Sequence, residues 1–248
     1  MITETSFSYD GLHSDNFGVI KVRVEGGLVT DTFLSTSNVN YSLPRNRRKA
    51  RIESIEREPL VIPMALYFDE NLDDTTIRRV KNWLSKDNYK KLIIGNKVYY
   101  AILSDETPIT HNAISSGYIK CNMLTNSPYT FSETIEIEGI SNSLSPTSLL
   151  LNNDGDMAIT VDIEISMTAD GNIEIENITN GETLRLNGNF ASEKIMFLGD
   201  SEEIHTSIPY MHRYGDHNDT FIQLETGSNE LIFKGDFTCK ITMEYVYK

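Results

Sequence analysis

Cysteine is scarce in this sequence: Cys121 and Cys239 are the only two in 248 residues. A disulfide framework is therefore not expected, and two buried free thiols in a reducing compartment are. No apolar run approaches the ~20 residues that cross a bilayer, so no membrane partner is expected. Met1 to Ser6 has neither a basic nor an apolar region, so no secretory leader is expected and synthesis is assigned to a cytoplasm. Gly-x-Ser-x-Gly, phosphate-loop and dinucleotide-binding patterns are all missing. The sequence offers no catalytic centre and calls for no cofactor.

Apolar residues make up 39% of the chain and charged residues 23%, a globular profile long enough for two domains with their own cores. The net charge of −14 is unevenly placed. Residues 1–135 hold 16 Lys/Arg and 16 Asp/Glu, whereas 136–248 hold 6 against 20, which is the whole of the excess. That shift argues for two domains, and the acidic half would repel phosphates, so no specific nucleic acid is expected. An acidic surface that serves only solubility explains the same numbers. Glu138 to Ser148 is rich in Ser and Asn and has no periodicity, so it reads as a linker over 139–148 between domains 1–138 and 149–248.

Alternation of apolar and polar residues predicts strands nearly everywhere. In the first half they fit Val19–Val24, Pro59–Phe68, Ser116–Leu124 and Phe131–Ile137, with a hairpin of Leu92–Leu103 around Gly95-Asn96. One helix is predicted from Asp73 or Asp74 to about Asp87, capped by Asp and carrying Ile77, Val80 and Leu84 on one face beside Trp83. In the second half, strands fit Ala158–Met167, Asn172–Ile178, Thr183–Leu186, Lys194–Leu198, Thr220–Leu224, Glu230–Phe233 and Phe237–Tyr247. The fold class is mainly β: an N-terminal β-sandwich with one α-helix and a hairpin, then an antiparallel β-sandwich.

Two clusters invite a chemical reading. His205, His212, Asp216, His217 and Asp219 fall close together, but their spacing matches no zincin or EF-hand, and Pro209 and Gly215 mark a loop. They are read as a polar loop, and no metal is assigned. Pairs such as Glu202-Glu203 suggest a glycosidase dyad only weakly, since any acidic sandwich supplies them. The sharpest charged feature is Arg45-Asn-Arg-Arg-Lys-Ala-Arg51, with five cations in seven residues. It lacks the interleaved aromatics of a nucleic-acid site and reads either as a solvated hairpin or as a basic arm meeting an acidic surface.

The opening stretch, Phe7 to Val24, runs aromatic, Gly11, Ser14, Phe17-Gly18 and then a strand. Further on come Asn153-Asp-Gly-Asp156, Asn177-Ile-Thr-Asn-Gly-Glu182 and Leu224-Glu-Thr-Gly-Ser-Asn229. In order and spacing these resemble the distal tail proteins of long-tailed, siphovirus-like phages, over nearly the whole chain and in their short form. The resemblance implies a galectin-like C-terminal sandwich and a structural, non-enzymatic role in the virion at the tail tip or baseplate. It further implies a homo-oligomeric ring, expected to be a hexamer, that joins the tail tube to the tip and scaffolds host adsorption. Tail tube, tail-tip and receptor-binding proteins would then be its partners, with DNA only passing through the channel. Because an early excursion in that family wraps the neighbouring subunit, Arg45, Arg47, Arg48 and Arg51 become the candidate inter-subunit arm. The alternative is a carbohydrate-binding adhesion module of a phage tail or cell surface, disfavoured because Trp83 lies outside the acidic half.

Overall fold

The computed structural model describes residues 6–22, 35–45, 48–68, 73–104, 108–111, 117–141 and 145–248. The chain divides into two compact units, one ending at Phe131 and the other covering Ser132–Tyr247.

The first unit contains β1 (Ser8–Tyr9), β2 (Leu12–His13), β3 (Val19–Lys21), β4 (Ser37–Ser42), β5 (Arg51–Arg57), β6 (Val61–Phe68), α1 (Asp74–Leu84), β7 (Lys90–Ile94), β8 (Lys97–Leu103), β9 (Ile109–His111), β10 (Gly117–Thr125) and β11 (Thr130–Phe131). Its sheet runs β2-β1-β7-β8-β10-β6-β3, with β9 added to β10 and β11 to β8. A four-residue 3-10 turn, Ser14–Phe17, separates the two ends of this path, β2 and β3. So short a link holds the ends within about 20 Å, and the sheet must curl.

Helix α1 closes one face of the curl. Asp73 caps it, its carboxylate accepting the Thr76 N–H at 2.6 Å, and Val80, Trp83 and Leu84 turn inward. The helix stops at Leu84, short of the expected Asp87, because the Ser85 backbone turns extended and Lys86 reaches Asp10 (2.7 Å). Trp83 explains the opening motif. Its ring stacks on Phe17 with centroids 4.2 Å apart and on Phe7 at 5.4 Å, and its Nε1–H donates to the Tyr9 carbonyl at 2.9 Å. Gly18 ends the 3-10 turn at φ +62°, a conformation that costs a side-chain-bearing residue more. The Gly95-Asn96 hairpin is as expected, pairing Ile94 with Lys97. Arg23 and Val24, expected to extend β3, lie outside the described residues.

The second unit contains β12 (Ile135–Ser141), β13 (Thr147–Asn153), β14 (Ile159–Thr160), β15 (Asp162–Met167), β16 (Gly171–Asn177), β17 (Glu182–Asn189), β18 (Lys194–Leu198), β19 (Glu203–Thr206), β20 (Gln223–Leu224), β21 (Gly227–Lys234), β22 (Phe237–Met243) and β23 (Val246–Tyr247). Two antiparallel sheets, β12-β22-β15-β18-β19 and β13-β21-β16-β17, enclose a core of Ile163, Ile165, Phe197 and Ile241 against Ile175, Leu184, Leu186 and Leu231, all fully buried.

Of the expected linker at 139–148, residues 142–144 lie outside the described residues, and the described flanks are largely strand. Gly139 to Ser141 complete β12, which pairs with β22 along its whole length, and Thr147 opens β13. The division instead falls at residues 131/132. Composition misled because both segments are edge strands, whose solvent side tolerates Ser and Asn. The expected strand Phe131–Ile137 is likewise broken, residues 132–134 lying between β11 and β12.

Candidate functional site

Strands β4 and β5 form a two-stranded antiparallel ribbon that pairs with no further strand among the described residues. Val39 faces Ile55 and Asn40 faces Ser54, but Tyr41 faces Ile52, so Glu53 is the extra residue of a bulge. Without that bulge, Ile52 and Ile55, three apart, would point to opposite sides. With it, Val39, Tyr41, Ile52 and Ile55 share one side of the ribbon, each 45–67% exposed. The other side is polar: Asn38 Nδ2 donates to Glu58 Oε1 (2.8 Å) and Asn40 Nδ2 to Ser54 Oγ (3.0 Å).

Among the described residues the ties to the body of the first unit lie at the root. Glu58 N–H donates to the Thr36 carbonyl at 2.9 Å, adding one bond to the ladder. Leu60 N–H donates to Thr125 Oγ1 at 2.8 Å, Thr125 N–H returns to the Leu60 carbonyl at 2.9 Å, and both residues are buried. Arg57 lies over the Tyr129 ring, 5.7 Å from its centroid. An isolated two-stranded hairpin is marginal in water, and this one also leaves its apolar side wet.

The predicted cations sit at the far end. Arg45 and Arg48 are exposed in the tip, Arg51 is the exposed first residue of β5, and Arg47 lies outside the described residues. Pro44, Arg48, Lys49, Ala50 and Arg51 line an open hollow there. The structure thus places three of the four predicted arginines on the ribbon. Sequence reasoning named these cations and missed the apolar stripe beside them; the signal was Val39, Tyr41, Ile52 and Ile55, hidden because the bulge breaks period two.

Among the described residues no group of three His, Cys, Asp or Glu is placed to hold an ion. His205 is exposed on β19, its Nε2 3.1 Å from Glu203 Oε2, and His212 is exposed in the following loop. Reading a plain polar loop missed strand β19 and two buried anchors, Arg213 and His217. Arg213 bonds Glu193 through Nε (2.9 Å) and Nη2, and reaches Asp216 Oδ2 at 3.0 Å. Burial pushes the Glu193 carboxyl up, but the bonds from Arg213 and Thr206 outweigh it and hold it below the ordinary glutamate value. Glu202 is exposed at φ +55°, and Glu203 pairs with His205.

The three weak turn motifs of this unit meet in space. Asn177 Nδ2 donates to the Gln223 carbonyl (2.7 Å) and to Asn229 Oδ1 (3.2 Å). Asn229 accepts the Glu225 N–H (2.9 Å), and Asn153 Nδ2 donates to the Leu224 carbonyl (3.2 Å). All three asparagines are buried, so the motif residues are the hydrogen-bonded end of one core.

Residues 2–127 match the family model described as the phage tail protein N-terminal domain, and residues 129–245 that of the phage tail C-terminal domain. The SPbeta prophage-derived uncharacterized protein YomH of Bacillus subtilis (strain 168) is 28% identical over 253 residues, covering 100% of this chain and 99% of its own length. Among solved structures, SPP1 Dit (gp 19.1), described as a paradigm of the hub adsorption apparatus in Gram-positive infecting phages, matches with a TM-score of 0.70 at 12% identity, over 97% of this chain and 98% of that one. A chain of the phage P2 baseplate in its activated conformation with Ca matches with a TM-score of 0.53 at 8% identity, over 96% and 97%. At these identities the structural likenesses carry the fold, and they agree with the distal tail protein resemblance read from the residues.

Proposed function

The chain belongs to the phage tail protein family, and from that premise we propose that it is a ring-forming hub of the tail tip. Copies join head to tail, the β4–β5 ribbon of one lying on the next, and a rotation that closes gives a ring rather than a filament. Six subunits around a channel join the tail tube to the tip, and DNA passes through without specific contact. The second sandwich scaffolds tail-tip and receptor-binding proteins. The role is structural, with no reaction assigned to any residue.

The observation that carries this reading is the ribbon: an amphipathic hairpin, rooted in one unit, whose apolar side stays 45–67% exposed among the described residues. Apolar anchors supply affinity, while Arg45, Arg48 and Arg51 at the rim, together with Arg47 of the same basic run, set register against an acidic surface. Negative-stain images of the purified full chain test the ring. Closed rings with a central opening are expected, with and without added tail-tip proteins. Single particles of subunit size under both conditions would rule the hub out.

A further inference from the structure

Residues Ser207–Asp219 run from the edge strand of one sheet of the second unit to the edge strand of the other. At β19, Ile204 N–H donates to Tyr214 Oη at 3.2 Å. At β17, His217 forms a β-bridge with Leu186, Asn218 N–H donates to the Arg185 carbonyl (3.3 Å), and Arg185 N–H donates back to Asn218 Oδ1 (2.8 Å). The segment therefore occupies two strand edges that would otherwise be open to pairing.

Its innermost residue is a poor choice for a permanent lock. The His217 ring lies against Phe197 (centroids 5.5 Å) and Phe221 (5.2 Å), and among the described residues neither ring nitrogen makes a well-formed hydrogen bond, although the Thr220 backbone lies close enough to favour the cation. A neutral imidazole fills such a site as a flat apolar ring, whereas an imidazolium would bring two N–H donors that both need acceptors.

We propose that residues 207–219 are an acid-released strap, with protonation of His217 as the trigger. The groups around the ring offer little to stabilise the charge. From β18 it meets the Phe197 ring. On β17 the nearest cation, Arg185, is held by Glu174 (2.8 Å). Within the strap, Asp216 is held by Arg213, and Asp219 is the one carboxylate that favours the cation. Burial accordingly holds the His217 imidazole below the ordinary histidine value, the nearness of the Thr220 backbone and Asp219 opposing this only in part. The sign follows. With its closed-state value depressed, His217 supports closure fully above the free value near 6.5 and loses that support as pH falls from there toward the closed-state value. Opening frees the Ile204 and Arg185 amides on both edges.

Hydrogen exchange on the full-length protein between pH 7.5 and 5, corrected for intrinsic rates, tests this. Peptides covering 183–187 and 203–220 should lose protection below pH 6.5, by up to about tenfold per pH unit, while β15 and β22 hold. His217→Phe, which keeps the ring and removes the titration, should show no such loss, although His205 and His212 remain. Flat protection in the wild type, or an equal loss in His217→Phe, would overturn the proposal. A direct NMR titration needs no variant: a His217 value at or above 6.5 would overturn it as well.

Discussion

The β4–β5 ribbon and the strap at 207–219 both leave a sheet and run far over polar sequence, yet they are held in different ways. The strap is tied along its length. Arg213 is buried against Glu193, His217 sits among aromatic rings, and backbone amides are exchanged with two strands. Among the described residues the ribbon is tied at Leu60–Thr125 and Arg57–Tyr129, and beyond that root the bonds run between its own two strands. The strap is anchored within its own unit through Arg213 and Glu193. The ribbon leaves its apolar stripe exposed among the described residues, which is the ground for proposing that a second copy completes it.

This comparison breaks most visibly at Arg213. Arg213→Met leaves Glu193 in a buried site without its cation, and thermal or denaturant unfolding should show the second unit weakened by about 3–5 kcal/mol. A loss below about 1 kcal/mol would mean that the pair does not anchor the strap. Reversing Arg45, Arg47, Arg48 and Arg51 to Glu should do the opposite. Stability should stay within about 0.5 kcal/mol, since Arg45, Arg48 and Arg51 are exposed, while association weakens at low salt and the difference shrinks as salt rises. Sedimentation across salt concentrations measures it, and unchanged association would remove the arginines from the contact.

Much of this was legible in the residues where local chemistry decides the outcome. Asp73 announces the start of α1, Gly95-Asn96 announces its hairpin, and Ile163/Ile165 and Ile173/Ile175 announce buried sheet faces. Legibility fails where a long-range partner overrides the pattern. Leu149, Leu150 and Leu151 break alternation on β13, and Asn153, Asn177 and Asn229 put amides at inward positions that their bonds to backbone groups and, for Asn177 and Asn229, to each other justify. Likewise, Arg213 and His217 look like loop residues until Glu193 and Phe197, both before the loop, are brought beside them. The apolar side of the ribbon was hidden by one inserted residue, Glu53.

Light scattering on the full chain, with and without Val39→Ser, Tyr41→Ser, Ile52→Ser and Ile55→Ser combined, tests the central claim most directly. The wild type should form a closed multimer of its 28.1 kDa subunit. The stripe variant should fall to the subunit mass at the same concentration while the body of the first unit still unfolds cooperatively, because those side chains are largely exposed and pair across the ribbon, away from that unit's buried core. A variant that assembles like the wild type would contradict the account, and so would a wild type that stays at subunit mass when concentrated and mixed with tail-tip proteins.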